Sequence, residues 1–412
     1  MQNDNNQKRI AIVGGGAAGL LAAGTALGCG ASVTVFERNA RVGRKLAITG
    51  KGRCNVTNEC SISDFLQSVT RNPRFLYTAL TAFDPASTMA LFEGLGVPLK
   101  TERGRRVFPV SDKAYDIVDA LRRYASGATF VHEKVSSLII EDDSVVGVRT
   151  SKPYFFDSVI IATGGMSYPL TGSDGAGYAL AKQAGHSITD ISPSLVPIEA
   201  KGTICKRMQG LSLKNVGISI INNETNKTVY NDFGEMLFTH FGVSGPMILS
   251  ASAHIKDVPI SSLTLKIDLK PALDVKQLDM RLLSDFEKYA NRDFSNALND
   301  LLPSKMIDGV VELSGISPDT KVNSITKAQR KALLSILKGL EIKLSKFRPI
   351  DEAIVTSGGV KTTEISPKTM ESKLKKNLYF AGEVIDVDAY TGGYNLQIAF
   401  STGYLAATSS AE

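Results

Sequence analysis

Apolar and polar positions divide this chain into blocks of different period. The first block, Ile10-Ala11-Ile12-Val13, is a short unbroken apolar run of the kind buried in parallel sheets. Three glycines follow, then an alanine-rich helical stretch that ends by Gly30. A second apolar run, Ser32 to Phe36, completes a strand–helix–strand pattern. Residues 62–125 place Phe65, Leu66, Leu76, Leu80 and Phe83 at helix-like spacings, with breaks at Gly94 and at Gly96-Val97-Pro98. Glu102 to Pro109 reads as a short hairpin or loop. Strand patterns resume at Phe130-Val131-His132, then at Val135 to Ile140 and Val145 to Thr150 around an acidic turn. Phe156 to Ile161 is another buried strand, running into Ala162-Thr163-Gly164-Gly165.

Composition shifts at Ser192 to Pro197, a linker into an insert. Residues 195–270 alternate apolar and polar, as strands do. Residues 273–340 show helical periodicity through Leu278, Leu282, Leu283, Phe286, Leu333, Leu334 and Leu337. Ser357-Gly358-Gly359-Val360 returns to the first domain. Asn377 to Glu383 is a final strand ending in a glycine turn, and Gly392-Gly393 opens a last helix.

Gly14, Gly16 and Gly19 fall at the G-x-G-x-x-G spacing between the first strand and its helix. Gly14 permits the tight turn, Gly16 lets a pyrophosphate approach the backbone, and Gly19 lets helix and strand pack closely. The helix N-terminus, with Ala17 and Ala18, offers free N–H groups to the phosphates. Glu37 closes the second strand about 20 residues on, where a ribose-binding carboxylate belongs. The fold is therefore α/β, with a Rossmann-like dinucleotide domain. The basic loop from Arg38 follows, with Arg44 and Lys45 as pyrophosphate candidates and Arg53 to Asn58, including Asn55, able to reach the reactive ring. In flavoproteins, which this arrangement resembles, the strand near Val135 often passes the adenine and contacts it through backbone groups. Thr163 and Gly164 suit the diphosphate and ribose. A second glycine loop, Thr171 to Gly177 with Gly175 at its centre, opens a helix over the ring. Gly382, Glu383, Asp386, Gly393 and Asn395-Leu396-Gln397 are cofactor candidates too. A helix N-terminus there would stabilise the negative charge of a reduced flavin.

The bulk numbers set limits. The 412 residues require two or three domains, with 43% hydrophobic and 21% charged positions, as in soluble globular proteins. A net charge of +6 suits an anionic cofactor. Charges of both signs are interspersed in the helical region, which argues against a nucleic-acid stripe. Four cysteines lack C-x-x-C spacing and read as free thiols of a reducing compartment; no metal site is suggested. The polar start, residues 1–8, does not read as a signal peptide, and no apolar run reaches the ~20 residues of a membrane span. A cytoplasmic protein is the expectation.

Together these motifs resemble the BaiN-like, aminoacetone-oxidase-like flavoproteins, labelled NAD(P)/FAD-dependent oxidoreductases. The carrying residues are Gly14 to Gly19, Gly43-Arg44-Lys45, Gly52 to Asn58, Gly234 to Pro246, Lys368 to Ser372 and Gly382 to Gln397. The helix after Gly175 resembles, more distantly, fumarate-reductase-type flavoproteins. The resemblance implies FAD in a discontinuous domain, residues 1–192 and 345–412. It implies an inserted domain over 193–344, β-rich to about 271 and helical from about 272, with substrate between the two. It also implies that Glu37 binds the adenosine ribose and that Asp386 lies near the ribityl chain or pyrophosphate. Ala389 departs from the glycine expected there.

The flavin would carry hydride at N5, and a side chain would supply or take a proton. His240 is the first candidate, with Tyr168, Arg53 and Tyr394 behind it. In one reading NAD(P)H reduces the flavin, which reduces a small organic acceptor such as an activated C=C. In another, an amine reduces the flavin and oxygen reoxidises it. A third reading, of a different class, is a flavin-binding regulatory or nucleic-acid-associated protein. The absence of a second Rossmann domain weakens the first reading without excluding it. Oligomeric state is not legible.

Overall fold

The computed structural model describes residues 7–256 and 258–412; most of the polar start lies outside these. The chain divides into two compact units, one of Met1–Ser194 with Ile350–Glu412, the other of Leu195–Pro349.

The first unit is built on a five-stranded parallel sheet. Its order is Leu378–Phe380, Ser158–Ile161, β1 (Arg9–Val13), β2 (Ser32–Phe36) and Thr129–Val131. Ile10, Ala11, Ile12, Val159, Ile160 and Ile161 are fully buried, which is why these strands read as unbroken apolar runs. Helix α1 (Ala17–Gly28) links β1 to β2 and is buried from Ala18 to Ala26. Small residues let the final helix, Tyr394–Ala411, pack against it: a Cβ on Gly403 would come within 2.6 Å of the Ala18 carbonyl oxygen. A three-stranded antiparallel sheet, Ser137–Glu141, Ser144–Arg149 and Pro153–Phe155, sits between Thr129–Val131 and Ser158–Ile161 in sequence.

The outgoing strand Ser192–Ser194 pairs antiparallel with the returning strand Val355–Ser357, so exit and re-entry are neighbours. The second unit holds a closed six-stranded barrel. Its last strand is Leu340–Phe347, which pairs with both Leu263–Asp268 and Ile198–Ala200. This corrects the helical expectation for residues up to 344. Leu340, Ile342 and Leu344 are buried while Glu341 and Lys343 are exposed, a period of two that the helix before it masked. The helices Val275–Lys288, Phe294–Ala297, Ser304–Ser314 and Lys327–Lys338 lie between the fifth and sixth barrel strands in sequence. They share an apolar core with the barrel through Leu278, Leu282, Phe294, Val310 and Leu333.

Candidate cofactor and active site

In parallel α/β sheets ligands bind beyond the carboxyl ends of the strands. Here the ends of β1, Ser158–Ile161 and Leu378–Phe380 each run into a positive-φ glycine: Gly14 at 110°, Gly164 at 73° and Gly382 at 74°. At Gly14 a Cβ would come within 2.5 Å of the Ala162 carbonyl oxygen, and on Gly19 within 1.9 Å of the Gly14 carbonyl oxygen. Gly16 is different. It takes an ordinary φ of −85°, and a Cβ there would meet nothing within 4 Å. The space above Gly16 is open, and no side chain caps the helix that starts there. Backbone N–H groups are thus available to an anion.

Glu37 shapes this turn. Its Oε2 accepts from the Gly15 N–H at 3.0 Å, and its Oε1 accepts from the Asn39 N–H and Nδ2 at 2.8 and 2.7 Å. A carboxylate has about four acceptor positions, so one remains for a ribose hydroxyl. Arg38 pairs with Asp174 at 2.5 Å, and Arg44 donates to Asn39 Oδ1 at 2.8 Å. The Lys45 ammonium, expected at the pyrophosphate, is held by Ser167 Oγ at 2.6 Å and Glu383 Oε2 at 2.7 Å. Glu383 Oε1 also accepts from Ser167 Oγ at 3.1 Å and the Thr356 N–H at 2.8 Å. This network joins four distant segments. Sequence reading misses Ser167 and Thr356, because neither lies in a motif.

Val135 is buried in the connection between two strands. Thr163 and Tyr178 flank the second glycine loop, where Gly175 (φ 79°) precedes the helix Ala176–Gln183. The Thr163 Oγ1 and Tyr178 hydroxyl are buried without hydrogen-bond partners. Burial, with Glu383 and Asp386 nearby, pushes the Tyr178 hydroxyl's pKa up and keeps it protonated. Asp386 is buried in an ion pair with Arg71, and its backbone oxygen accepts from Asn72 Nδ2 at 2.7 Å.

The final helix opens at Gly393 (φ 98°) without a capping side chain. A Cβ on Gly393 would come within 2.3 Å of the Thr57 backbone. Asn395 is spent on the preceding turn, exchanging bonds with Ala389 N–H and carbonyl at 3.0 and 2.8 Å. Gln397 is fully buried and bonded to Thr57, Phe83 and Ser401. Both side chains therefore shape the site, leaving the backbone N–H groups of the first turn, Leu396 included, for a ligand.

Among the catalytic candidates, Tyr168 is half-buried at a left-handed position, φ 53°, beyond the Ser158–Ile161 strand. Arg53 is bound to Glu102 and Asp112 and lies over the Phe108 ring. His240 is exposed in a turn of the second unit, its ring 5.0 Å from that of Phe241. The structure thus places Tyr168 and Arg53 in the glycine-loop unit and His240 in the barrel unit. No group of three or more His, Cys, Asp or Glu able to hold a metal occurs among the described residues. No described helix is long and apolar enough to cross a membrane.

The donor set fits FAD: open space over Gly16, uncapped helix starts, and buried polar atoms on Asn55, Thr163 and Tyr178 that lack partners. Comparison with known proteins agrees. The model of the HI0933-like protein Rossmann domain matches residues 8–409. The 3-dehydro-bile acid delta(4,6)-reductase of Clostridium scindens is 31% identical over 411 residues, 98% of this chain and 99% of the relative. A ribosomal RNA dihydrouridine synthase of Haemophilus influenzae is 33% identical over 408 residues, 97% of each chain. Among solved structures, 3-ketosteroid-delta4-(5alpha)-dehydrogenase from Rhodococcus jostii RHA1 shares the fold. Its TM-score is 0.52 at 15% identity, covering 100% of this chain and 98% of that one.

Proposed function

The chain belongs to the HI0933-like Rossmann family of FAD-dependent oxidoreductases, and from that premise we propose that it reduces a ring C=C conjugated to a carbonyl. The supporting observation is that two relatives of near-equal length carry names of this chemistry on unlike molecules. One is a delta(4,6)-reductase of a 3-dehydro bile acid, the other a dihydrouridine synthase. A ring double bond conjugated to a 3-oxo group and the ring double bond of uracil are both polarised by a carbonyl. A small cyclic enone is the substrate class we favour, with NAD(P)H as electron donor.

When bound, the flavin supplies hydride to the electron-poor carbon. The chain's own residues do the rest. Gly14 to Gly19 and the start of α1 take the pyrophosphate, and Glu37 takes the ribose. Glu383, fixed by Lys45 and Thr356, and Asp386, fixed by Arg71, order the middle of the cofactor. The first turn of the final helix, held against Thr57, favours negative charge on the ring. Within the glycine-loop unit, Tyr168 is the group proposed to protonate the second carbon, since the Arg53 guanidinium is committed to two carboxylates.

Anaerobic mixing with NADPH or NADH should bleach bound flavin, and a cyclic enone should restore its colour. Failure of both nucleotides to bleach it would sink the reductase reading. A second reading, reduction of a base within RNA, is favoured by the charge of the barrel unit. Residues 195–349 carry 21 Lys and Arg against 16 Asp and Glu, a net +5 of the chain's +6. Reoxidation by RNA that weakens steeply with salt would select it.

A further inference from the structure

Loop 49–58 has a backbone its residues do not choose freely. Gly50, Lys51, Gly52 and Cys54 have φ of 58°, 59°, 86° and 59°. Two residues with side chains therefore occupy the left-handed region, which persists only where the surroundings over-determine it. Arg53 provides one fastening. Its Nε and one Nη donate to Asp112 Oδ1 at 2.9 and 2.6 Å, and the same Nη donates to Glu102 Oε1 at 2.5 Å. Its guanidinium carbon lies 4.2 Å from the Phe108 ring centre. These partners belong to the hairpin of strands Leu99–Glu102 and Arg106–Pro109, or follow it closely.

Past Arg53 the loop docks again. The Val56 N–H donates to the Val107 carbonyl at 2.8 Å. Asn58 Nδ2 bridges the carbonyls of Gly104 and Gly392 at 3.0 and 3.1 Å, and Thr57 Oγ1 donates to Gln397 Oε1 at 2.6 Å. The loop is therefore clamped between the hairpin and the start of the final helix. Within the clamp, Asn55 Oδ1 is buried and accepts nothing. A buried amide oxygen without a donor is costly, so the position calls for a ligand group.

We propose that Arg53 is a positioning residue, whose fork fixes this loop so that the Asn55 carboxamide meets the pyrimidine edge of the flavin. The inference rests on the FAD reading and assigns it two residues. A carboxamide presents an acceptor and donors in one plane. The flavin's pyrimidine edge alternates C=O and N–H, so the two are complementary. Arg53 itself spends its nitrogens on Glu102 and Asp112 and its face on Phe108. Lysine at 53 would keep the charge and lose both the planar fork and the stack.

A double-mutant cycle on the holoprotein tests this, using Arg53→Lys, Asn55→Ala and the pair. The readouts are the FAD dissociation constant, the visible spectrum of bound flavin and its reduction potential against a reference dye. Each single variant should weaken FAD about tenfold, the loss of one hydrogen bond to a ring. Both should move the potential in the same direction, and the double variant should be no worse than Asn55→Ala alone. Additive effects, or an Asn55→Ala protein with wild-type spectrum and affinity, would overturn the proposal. If Arg53→Lys does not fold, Glu102→Gln takes its place. It should shift the potential in the direction of Asn55→Ala, and a folded Glu102→Gln protein without that shift overturns the proposal as well. A wild-type protein that holds no FAD would instead count against the cofactor reading.

Discussion

Helices begin in two ways in this molecule. In the barrel unit, Val275–Lys288 and Lys327–Lys338 start with complete capping boxes, Asp274 with Gln277 and Thr326 with Gln329. In the sheet unit, the helices that start after Gly16, Gly43 and Gly393 have no side-chain cap, while after Gly175 only Asp174 Oδ1 reaches the first N–H, that of Ala176, at 3.1 Å. Capping is not absent from that unit: Ser61 and Asp84 each bond the third residue of their helices. In the barrel unit Pro246–His254, Phe294–Ala297 and Ser304–Ser314 also lack a side-chain cap, so the contrast lies between the two capping boxes and the glycine starts of the sheet unit. At the strand ends capping side chains are left out, and glycine keeps the approach open for an anion.

The largest test of this contrast is Gly16→Val. With open space around its Cβ, the apoprotein should melt near the wild-type temperature. Bound FAD should fall by ~100-fold or more, because the methyl groups fill the pyrophosphate's approach. Equal loss of fold and flavin would erase the distinction. Next comes Gly19→Ala, whose Cβ would strike the Gly14 carbonyl. It should cost about 2–3 kcal/mol in denaturant unfolding, as overpacking does, and take the cofactor with it. Asp274→Ala should do the reverse of Gly16→Val. It should lower stability by about 1 kcal/mol, the loss of a cap, and leave FAD affinity unchanged.

The smallest effect is electrostatic. Arg53 holds the Glu102 carboxyl below its usual range, while Lys100 and then Arg53 do so for Asp112. A carboxylate depressed in the folded state contributes stability above its unfolded pKa and loses it as pH falls through the folded value. Acidification below the ordinary carboxylate range should therefore loosen the 50s loop slightly, seen as a change in flavin fluorescence. In Arg53→Lys that change should begin at higher pH. An unchanged profile would remove the ion pairs from any part in holding the loop.

Much of the sheet unit was legible because its signals are local. Ile10–Val13, the three glycines and Glu37 lie within one strand–helix–strand unit, so spacing alone brought them together. Lys45 was legible as a cation, but its partner Glu383 is 338 positions away. Arg53 is legible by its glycine-rich setting; its partners, Glu102 in a hairpin without a chemical signal and Asp112 just beyond that hairpin, are not. The strand Leu340–Phe347 was hidden because Leu333, Leu334 and Leu337 continue a helical period up to its edge. Local period identifies elements, while their pairing depends on the tertiary core.

The antiparallel pairing of Ser192–Ser194 with Val355–Ser357 has a consequence for the order of synthesis. The sheet's outer strand Leu378–Phe380 and the helix on α1 are made only after the whole barrel unit has been translated. Domains fold as units while the chain emerges. A nascent chain that has cleared the ribosome only as far as residue 349 should thus carry a finished barrel and an unfinished cradle, unable to retain FAD. Flavin capture by such a chain would show that the cradle does not need the segment after residue 349. Flavin capture only after residue 411 has cleared the ribosome would show that cofactor loading waits for the helix Tyr394–Ala411.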